Sequence, residues 1–137
     1  MKLPEMPGRI MAQMAYETAD KIKALAIVVP TMSGNTARMI STFRPEQAIL
    51  AVTPNEQVQR QMLIDWGVFP LLSKTADDSE DMVQNAVKIA LDNGFVRQSD
   101  RIILCAGIPL VSPIPVNTIR VLLVGNVLAR GRSGGTA

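Results

Sequence analysis

Leu25-Ala26-Ile27-Val28-Val29-Pro30, followed at once by Thr31-Met32-Ser33-Gly34-Asn35-Thr36, decides how this chain is read. The first half is an apolar run of strand length. The second is a short polar turn with one glycine, and from Thr36 onward the residues have the spacing of an amphipathic helix. A strand that passes through such a turn into a helix opens a parallel α/β unit. The turn also has chemistry of its own. The first amides of a helix have no carbonyl partner within it, and the helix dipole places roughly half a positive charge there. Gly34 lets the backbone approach a ligand closely, and Thr31, Ser33 and Thr36 supply hydroxyls. The turn Thr31, Met32, Ser33, Gly34, Asn35, Thr36 therefore reads as a cradle for a phosphate group. The competing reading is an ordinary helix cap, in which Ser33 satisfies the open amides by itself.

Working outward, five apolar runs read as strands: Leu25 to Val29, Ala48 to Thr53, Val68 to Leu72, Arg101 to Ala106 and Thr118 to Val124. Helical segments precede or separate the first four. The first, Gly8 to Ala24, sets Met11, Met14, Ala15, Thr18, Ala19 and Ile22 at spacings of three and four, which predicts one apolar stripe facing a sheet. Thr53-Pro54-Asn55-Glu56 has the pattern of a capping box that starts the third helix from Thr53. The fourth helix is predicted to start at Asp78 or Ser79, to turn Met82, Val83, Ala86, Val87 and Ala90 inward, and to stop at Asn93-Gly94. Near-continuous apolar strands alternating with helices predict a parallel sheet covered on both faces. The last connection, Gly107 to Asn117, contains Pro109, Pro113 and Pro115 and has no room for a crossover helix, so the fifth strand is expected to be antiparallel. The fold class is thus α/β: a three-layer, doubly wound sheet of five strands, four parallel and the last antiparallel, with helices on both faces. Residues 1–128 read as the folded domain and residues 129–137 as a flexible tail or linker.

Composition narrows the chemistry. A chain of 137 residues suits one domain and is too short for a (β/α)8 barrel of about 250 residues. With 47% apolar but only 4% aromatic residues, Val, Ile, Leu, Met and Ala must fill the core. A net charge of +2 gives no footprint for nucleic acid. Histidine is absent and Cys105 is the one cysteine, which excludes a Cys/His zinc site, a Ser-His-Asp triad and an internal disulfide. Cys105 ends the run Ile102-Ile103-Leu104 and reads as a small buried hydrophobe. No apolar run approaches the roughly 20 residues that span a bilayer, and Met1 to Arg9 has no signal-peptide core, so no membrane partner and a cytoplasmic location are expected.

Three further features invite a functional reading and have a plainer one. Asp77, Asp78, Glu80 and Asp81 suggest oxygen ligands for a cation, but acidic residues in a first helical turn also complement the dipole. Trp66-Gly67 reads as an indole closing the core under a helix end, with Gly67 making the turn. Arg38 and Arg44 flank the second helix and are positioned to add charge to a bound phosphate; Arg44, before Pro45, also reads as a loop brace. In a doubly wound sheet, ligands collect beyond the carboxyl ends of the strands. There the Thr31 to Thr36 turn would hold a phosphate, and the loop after the fourth strand, with Gly107, Ile108, Pro109 and Ser112, would fold over the rest of the ligand. Neither loop carries a catalytic base, so binding without chemistry is inferred.

Ala26-Ile27-Val28-Val29-Pro30-Thr31-Met32-Ser33-Gly34-Asn35-Thr36-Ala37-Arg38, with Phe43-Arg44-Pro45, Ala51-Val52-Thr53-Pro54-Asn55-Glu56, Trp66-Gly67-Val68 and Ala106-Gly107-Ile108-Pro109, resembles the C-terminal domain of pyruvate kinase, most closely in its bacterial form. The resemblance runs from about Met11 to Leu128. It implies a five-stranded α/β domain with an antiparallel last strand, a phosphorylated small-molecule effector, a pyruvate kinase catalytic domain as partner, and a homo-oligomer, dimer or tetramer. It also implies that Thr31, Ser33, Gly34, Asn35 and Thr36 match the turn that grips the effector phosphate, with Met32 where some members have lysine. Members activated by fructose 1,6-bisphosphate hold the second phosphate with an arginine near the start of the fourth helix. Met82 aligns at about that place, so a monophosphate such as AMP or ribose 5-phosphate fits better. The family's effector loop is rich in glycine and serine, whereas Val111 to Val116 is proline-rich, which predicts a stiffer loop and a weaker response.

The catalytic barrel has no counterpart in these residues, so the resemblance implies no cofactor and no catalytic residue in this chain. Magnesium and potassium ions would belong to the catalytic domain of the full enzyme. Such a chain is expected to be inactive alone, whether it is an excised domain or a separately encoded piece. Two other readings remain: an assembly module whose edge strand Thr118 to Val124 pairs between subunits, and a small α/β enzyme acting on a phosphate ester.

Overall fold

The computed structural model describes residues 6–107 and 117–135. In chain order its elements are α1 (Met6–Ile22), β1 (Ala26–Pro30), α2 (Asn35–Ser41), β2 (Ala48–Thr53), α3 (Glu56–Gln61) with a 3-10 turn (Met62–Ile64), β3 (Val68–Leu72), α4 (Ser79–Asp92), β4 (Arg101–Ala106), β5 (Thr118–Leu123) and α5 (Val124–Gly135). The strands lie in the order β3-β2-β1-β4-β5. β1 pairs in parallel with β2 and β4, and β2 in parallel with β3. β5 runs antiparallel to β4, with Arg101 opposite Leu123 and Ala106 opposite Thr118. This is the predicted α/β sheet, four strands parallel and the last antiparallel. The Asn117 amide donates to the Ala106 carbonyl at 3.1 Å, which closes the base of the proline-containing connection where a crossover helix has no room.

Strand side chains alternate between two apolar layers, which is why these strands read as continuous hydrophobic runs. On one face Ile27, Val29, Ile49, Ala51, Ile103 and Cys105 pack against α1, α2 and the residues around Met62. On the other, Val28, Leu50, Val52, Ile102 and Leu104 pack against Val83, Ala86, Val87 and Ala90 of α4 and Val124 and Val127 of α5. Helices therefore cover both faces, as expected.

Several details depart from the sequence reading. The face α1 buries is Ala12, Ala15 and Ala19, all fully covered, while Met14 and Ile22 of the predicted stripe are 49% and 36% exposed. Alanines let the helix sit close to the sheet, and that closeness leaves the larger side chains at its flanks. The cap of α3 is Asn55, whose side chain accepts from the Gln57 and Val58 amides; Thr53, the last residue of β2, instead accepts from the Asn55 amide at 3.2 Å. α5 carries helical backbone from Val124 to Gly135, into the segment expected as a tail, of which residues 136–137 lie outside the described residues. Val124 and Val127 are buried, and Leu128 packs beside them, so spacings of three and four bind the helix to α4 despite its glycines. The start and stop of α4 match the reading. Asp78 caps it by accepting from the Asp81 amide, and Gly94, at φ 78, terminates it while the Gly94 and Phe95 amides donate to Leu91 and Ala90.

Candidate functional site

The order of the strands fixes where a ligand can approach. From β1 the chain winds outward through β2 to β3, then returns across the other face to β4 on the opposite side of β1. After β1 the chain leads toward β2, and after β4 toward β5 on the other side, so the strand order reverses at the carboxyl ends of β1 and β4, the end at which open α/β sheets bind ligands. The Thr31 to Thr36 turn leaves β1 there, and the loop beginning at Gly107 leaves β4 there. Sequence reading thus brought together two segments that the fold places on neighbouring strands. Gly107 is half-buried; Ile108, Pro109 and Ser112 lie outside the described residues.

The turn is anchored at both ends. The Thr31 amide donates to the Val52 carbonyl of β2 at 2.9 Å, and the Arg38 amide donates to the Gly34 carbonyl at 3.0 Å, the first bond of α2. Within the turn, the Thr31 hydroxyl oxygen accepts from the Gly34 amide at 2.8 Å, and the Ser33 hydroxyl oxygen accepts from the Asn35 amide at 3.2 Å. Two of the turn's amides are therefore satisfied by its own side chains, so part of the ordinary-cap reading is correct. Accepting a hydrogen bond leaves each hydroxyl its own proton to donate. Among the described residues, the Thr36 and Ala37 amides, next in the first turn of α2, have no acceptor. Met32 and Ser33 are exposed and Thr36 is half-buried. Gly34 sits at φ 84 over Met62, where a Cβ would come within 3.1 Å of the Met62 Cγ atom.

The two arginines separate. Arg38 stays beside the turn: its Nη1 donates to the Asn35 Oδ1 atom at 3.3 Å, and its Nε lies 3.5 Å from the Asp65 Oδ2 atom. That carboxylate oxygen is buried and accepts no hydrogen bond, so the ion pair alone balances it. Arg44 lies beyond the far end of α2, with its guanidinium 5.4 Å from the centre of the Trp66 ring, and adds nothing to the turn. Trp66 is 47% exposed, so the indole does not close the core. Gly67 at φ 70 does make the turn into β3. The involvement of Met62 and Asp65 had no local signal, because both reach the turn through tertiary packing.

The other candidates resolve toward structure. Asp78 and Asp81 are spent on capping, with Asp81 also accepting from the Asp77 amide at 3.0 Å. Among the described residues no cluster of His, Cys, Asp or Glu is arranged to hold a metal ion. Met82 is half-buried and packs on the α4 core. Cys105 is fully buried, and burial pushes its thiol up to about 12. A shallow concavity of about 380 Å³ lies at the opposite, amino-terminal end of the strands, lined by Lys23, Leu25, Glu46, Gln47, Asp100 and Arg101, and does not coincide with the turn. Among the described residues no helix is long and apolar enough to cross a membrane.

A family model described as pyruvate kinase, alpha/beta domain, matches residues 10–122. The chain belongs to that family. Among its relatives are the pyruvate kinase of Lactobacillus delbrueckii subsp. bulgaricus, 36% identical over 126 residues, which are 92% of this chain and 21% of that protein. The pyruvate kinase of Staphylococcus aureus strain USA300 is 41% identical over 118 residues, 86% of this chain and 20% of that protein. That of Sporosarcina psychrophila is 34% identical over 125 residues, 91% of this chain and 21% of that protein. The chain thus spans about one-fifth of the length of the curated relatives it matches.

Proposed function

We propose that this chain is the regulatory and oligomerisation domain of a pyruvate kinase. It binds a phosphorylated effector such as AMP or a sugar phosphate, while a separate barrel domain carries out phosphotransfer between phosphoenolpyruvate and ADP. What supports the ligand half is that the Thr31 to Thr36 turn leaves the carboxyl end of β1 next to the carboxyl end of β4, where the strand order reverses. The Thr36 amide, the hydroxyl protons of Thr31, Ser33 and Thr36, and the charge of Arg38 form a donor set suited to one phosphate. The chain has no histidine, and in this proposal the site binds its ligand without chemistry. Magnesium and potassium belong, in this proposal, to the barrel.

Calorimetric titration with AMP, ribose 5-phosphate and fructose 1,6-bisphosphate tests this directly. One site per chain is expected, with a preference for the monophosphates, weakened about tenfold or more by Ser33→Ala combined with Thr36→Ala. Absence of binding by the wild type, or binding unaffected by the double substitution, refutes the ligand half.

A second reading, pure assembly, is favoured by the contrast between the two sheet edges. Edge strand β3 carries Pro70, which blocks continued strand pairing, whereas β5 has no proline and exposes half of Val121. Sedimentation that shows oligomers with and without effector, abolished by Val121→Lys, would support pairing through β5; a monomer at high concentration would exclude it.

A further inference from the structure

We infer that the shallow concavity of about 380 Å³ at the amino-terminal end of the strands holds a small zwitterion of the free α-amino acid class, its ammonium toward Gln47 and its carboxylate toward Arg101. This site is at the opposite end of the sheet from the Thr31 to Thr36 turn and does not depend on what that turn binds. Gln47 lines the concavity yet is only 8% exposed. Its Nε2 donates to the Ala19 carbonyl of α1 at 3.1 Å, which fixes the amide because a carbonyl can take only a donor. The other amide atom, Oε1, is buried and accepts no hydrogen bond among the described residues. Folded proteins rarely leave a buried acceptor without a donor, so an occupant that brings one is expected here.

The register sets the spacing of the site. Ala26 stands opposite Ala48 of β2 and Ile102 of β4, so the residues before them, Leu25, Gln47 and Arg101, form a level row across three strand starts. The Leu25 amide donates to the Arg101 carbonyl at 2.9 Å and ties the middle of the row to one side. Gln47 and Arg101 are thus two strand spacings of about 4.8 Å apart. Strand alternation puts Arg101 on the same face as Ile103, the face that packs on α1, and Gln47 reaches α1 on that face through Ala19.

Charge separates along this row. On the Gln47 side, the unpaired Oε1, the exposed carboxylate of Glu46 and the last turn of α1, where the helix dipole has its negative end, all favour a cation. The Lys23 ammonium opposes this least, since it is drawn to the Asp20 Oδ1 atom at 3.5 Å. On the other side Arg101 is exposed, and among the described residues its guanidinium forms no ion pair or hydrogen bond. Its planar fork suits a carboxylate, and its length bridges most of the distance to Gln47, so an ammonium and a carboxylate on one carbon fill the rest. Asp100 does not compete for the guanidinium, because its Oδ2 accepts from the Arg97 amide at 2.7 Å. Between the charged ends Ala24 and Leu25, the latter 47% exposed, present an apolar surface that suits a small aliphatic side chain.

NMR of the whole chain, titrated at constant pH with alanine, propionate and ethylamine, tests this, because the last two each keep one charged end of the first. With alanine, saturable shifts are expected at the Leu25, Gln47 and Arg101 amides and at the Gln47 side-chain amide, and propionate and ethylamine are expected to bind about tenfold or more weakly. Arg101→Gln is expected to weaken alanine about tenfold and to leave ethylamine unchanged, a split that a merely structural role would not produce. Gln47→Leu is expected to weaken both; should that variant not fold, Arg101→Gln decides alone. Absence of saturable shifts with alanine overturns the proposal and leaves the concavity to water. So does ethylamine that binds as tightly as alanine, or alanine binding that ignores Arg101→Gln. Shifts along this row that follow protein concentration and not alanine would assign the concavity to a second copy of the chain and overturn it as well.

Discussion

At Gly34 the backbone turns to φ 84 and runs so close to Met62 that a Cβ would lie 3.1 Å from the Met62 Cγ and 3.2 Å from its Sδ. Both the torsion and the contact exclude other residues, so Gly34→Ala is expected to lower stability by about 1–3 kcal/mol in urea unfolding. A change below a few tenths would mean that the turn relaxes freely. Cys105 is a residue whose role the sequence did reveal, since it ends an apolar run and lies in the core. Its raised pKa means that the fold favours the neutral thiol. This contribution is complete below the ordinary value of 9.0 and is lost as pH rises toward about 12. At pH 8 a thiol reagent is therefore expected to react only as fast as the protein unfolds; immediate stoichiometric reaction would place the thiol at the surface. What remained illegible at this scale has a common cause. Lys23 and Arg44 adopt φ of 54 and 50, and neither is a glycine or asparagine that would announce a left-handed turn. The end of α1 is therefore expected two residues too far, and of the two readings of Arg44, phosphate partner or loop brace, its place over Trp66 fits the second.

Among the elements, α3 shows how a cap is misread by two positions. Thr53-Pro54-Asn55-Glu56 offers two cap residues, and local pattern cannot choose between them. β2 chooses, because it extends through Thr53 and buries it completely, which leaves Asn55 to start the helix. Asn55→Ala is expected to cost about 1 kcal/mol, while Asn55→Asp keeps most of that stability because it retains the acceptor. Equal thermal melts for wild type and Asn55→Ala would return the cap to Thr53. α5 was missed for a different reason. Its glycines and arginines argue against a helix by composition, and only burial of Val124 and Val127 against α4 overrides them. Strands were legible nearly to the residue, because a strand covered on both faces writes itself as an unbroken apolar run.

Over the whole molecule, alternation of strand and helix plus one proline-rich connection was enough to specify four parallel strands and an antiparallel fifth. Strand order was not legible, and it is strand order that places the carboxyl ends of β1 and β4 side by side. The same order sets a proline-blocked edge, β3, against an open one, β5, so Val121→Lys is expected to shift any self-association seen in sedimentation, whereas a charge at Ile64 should not. The Thr31 to Thr36 segment was legible as a strand-to-helix turn, but its internal bonds from the Gly34 and Asn35 amides could be seen only in three dimensions. The most direct measurement is the amide NMR spectrum of the chain as ribose 5-phosphate is added. Saturable shifts centred on Thr36, extending to Ser33 and Arg38 and lost in Ser33→Ala with Thr36→Ala, are expected. Unmoved resonances throughout Thr31 to Arg38, or shifts confined to the amino-terminal end of the sheet, would contradict a phosphate site at this turn.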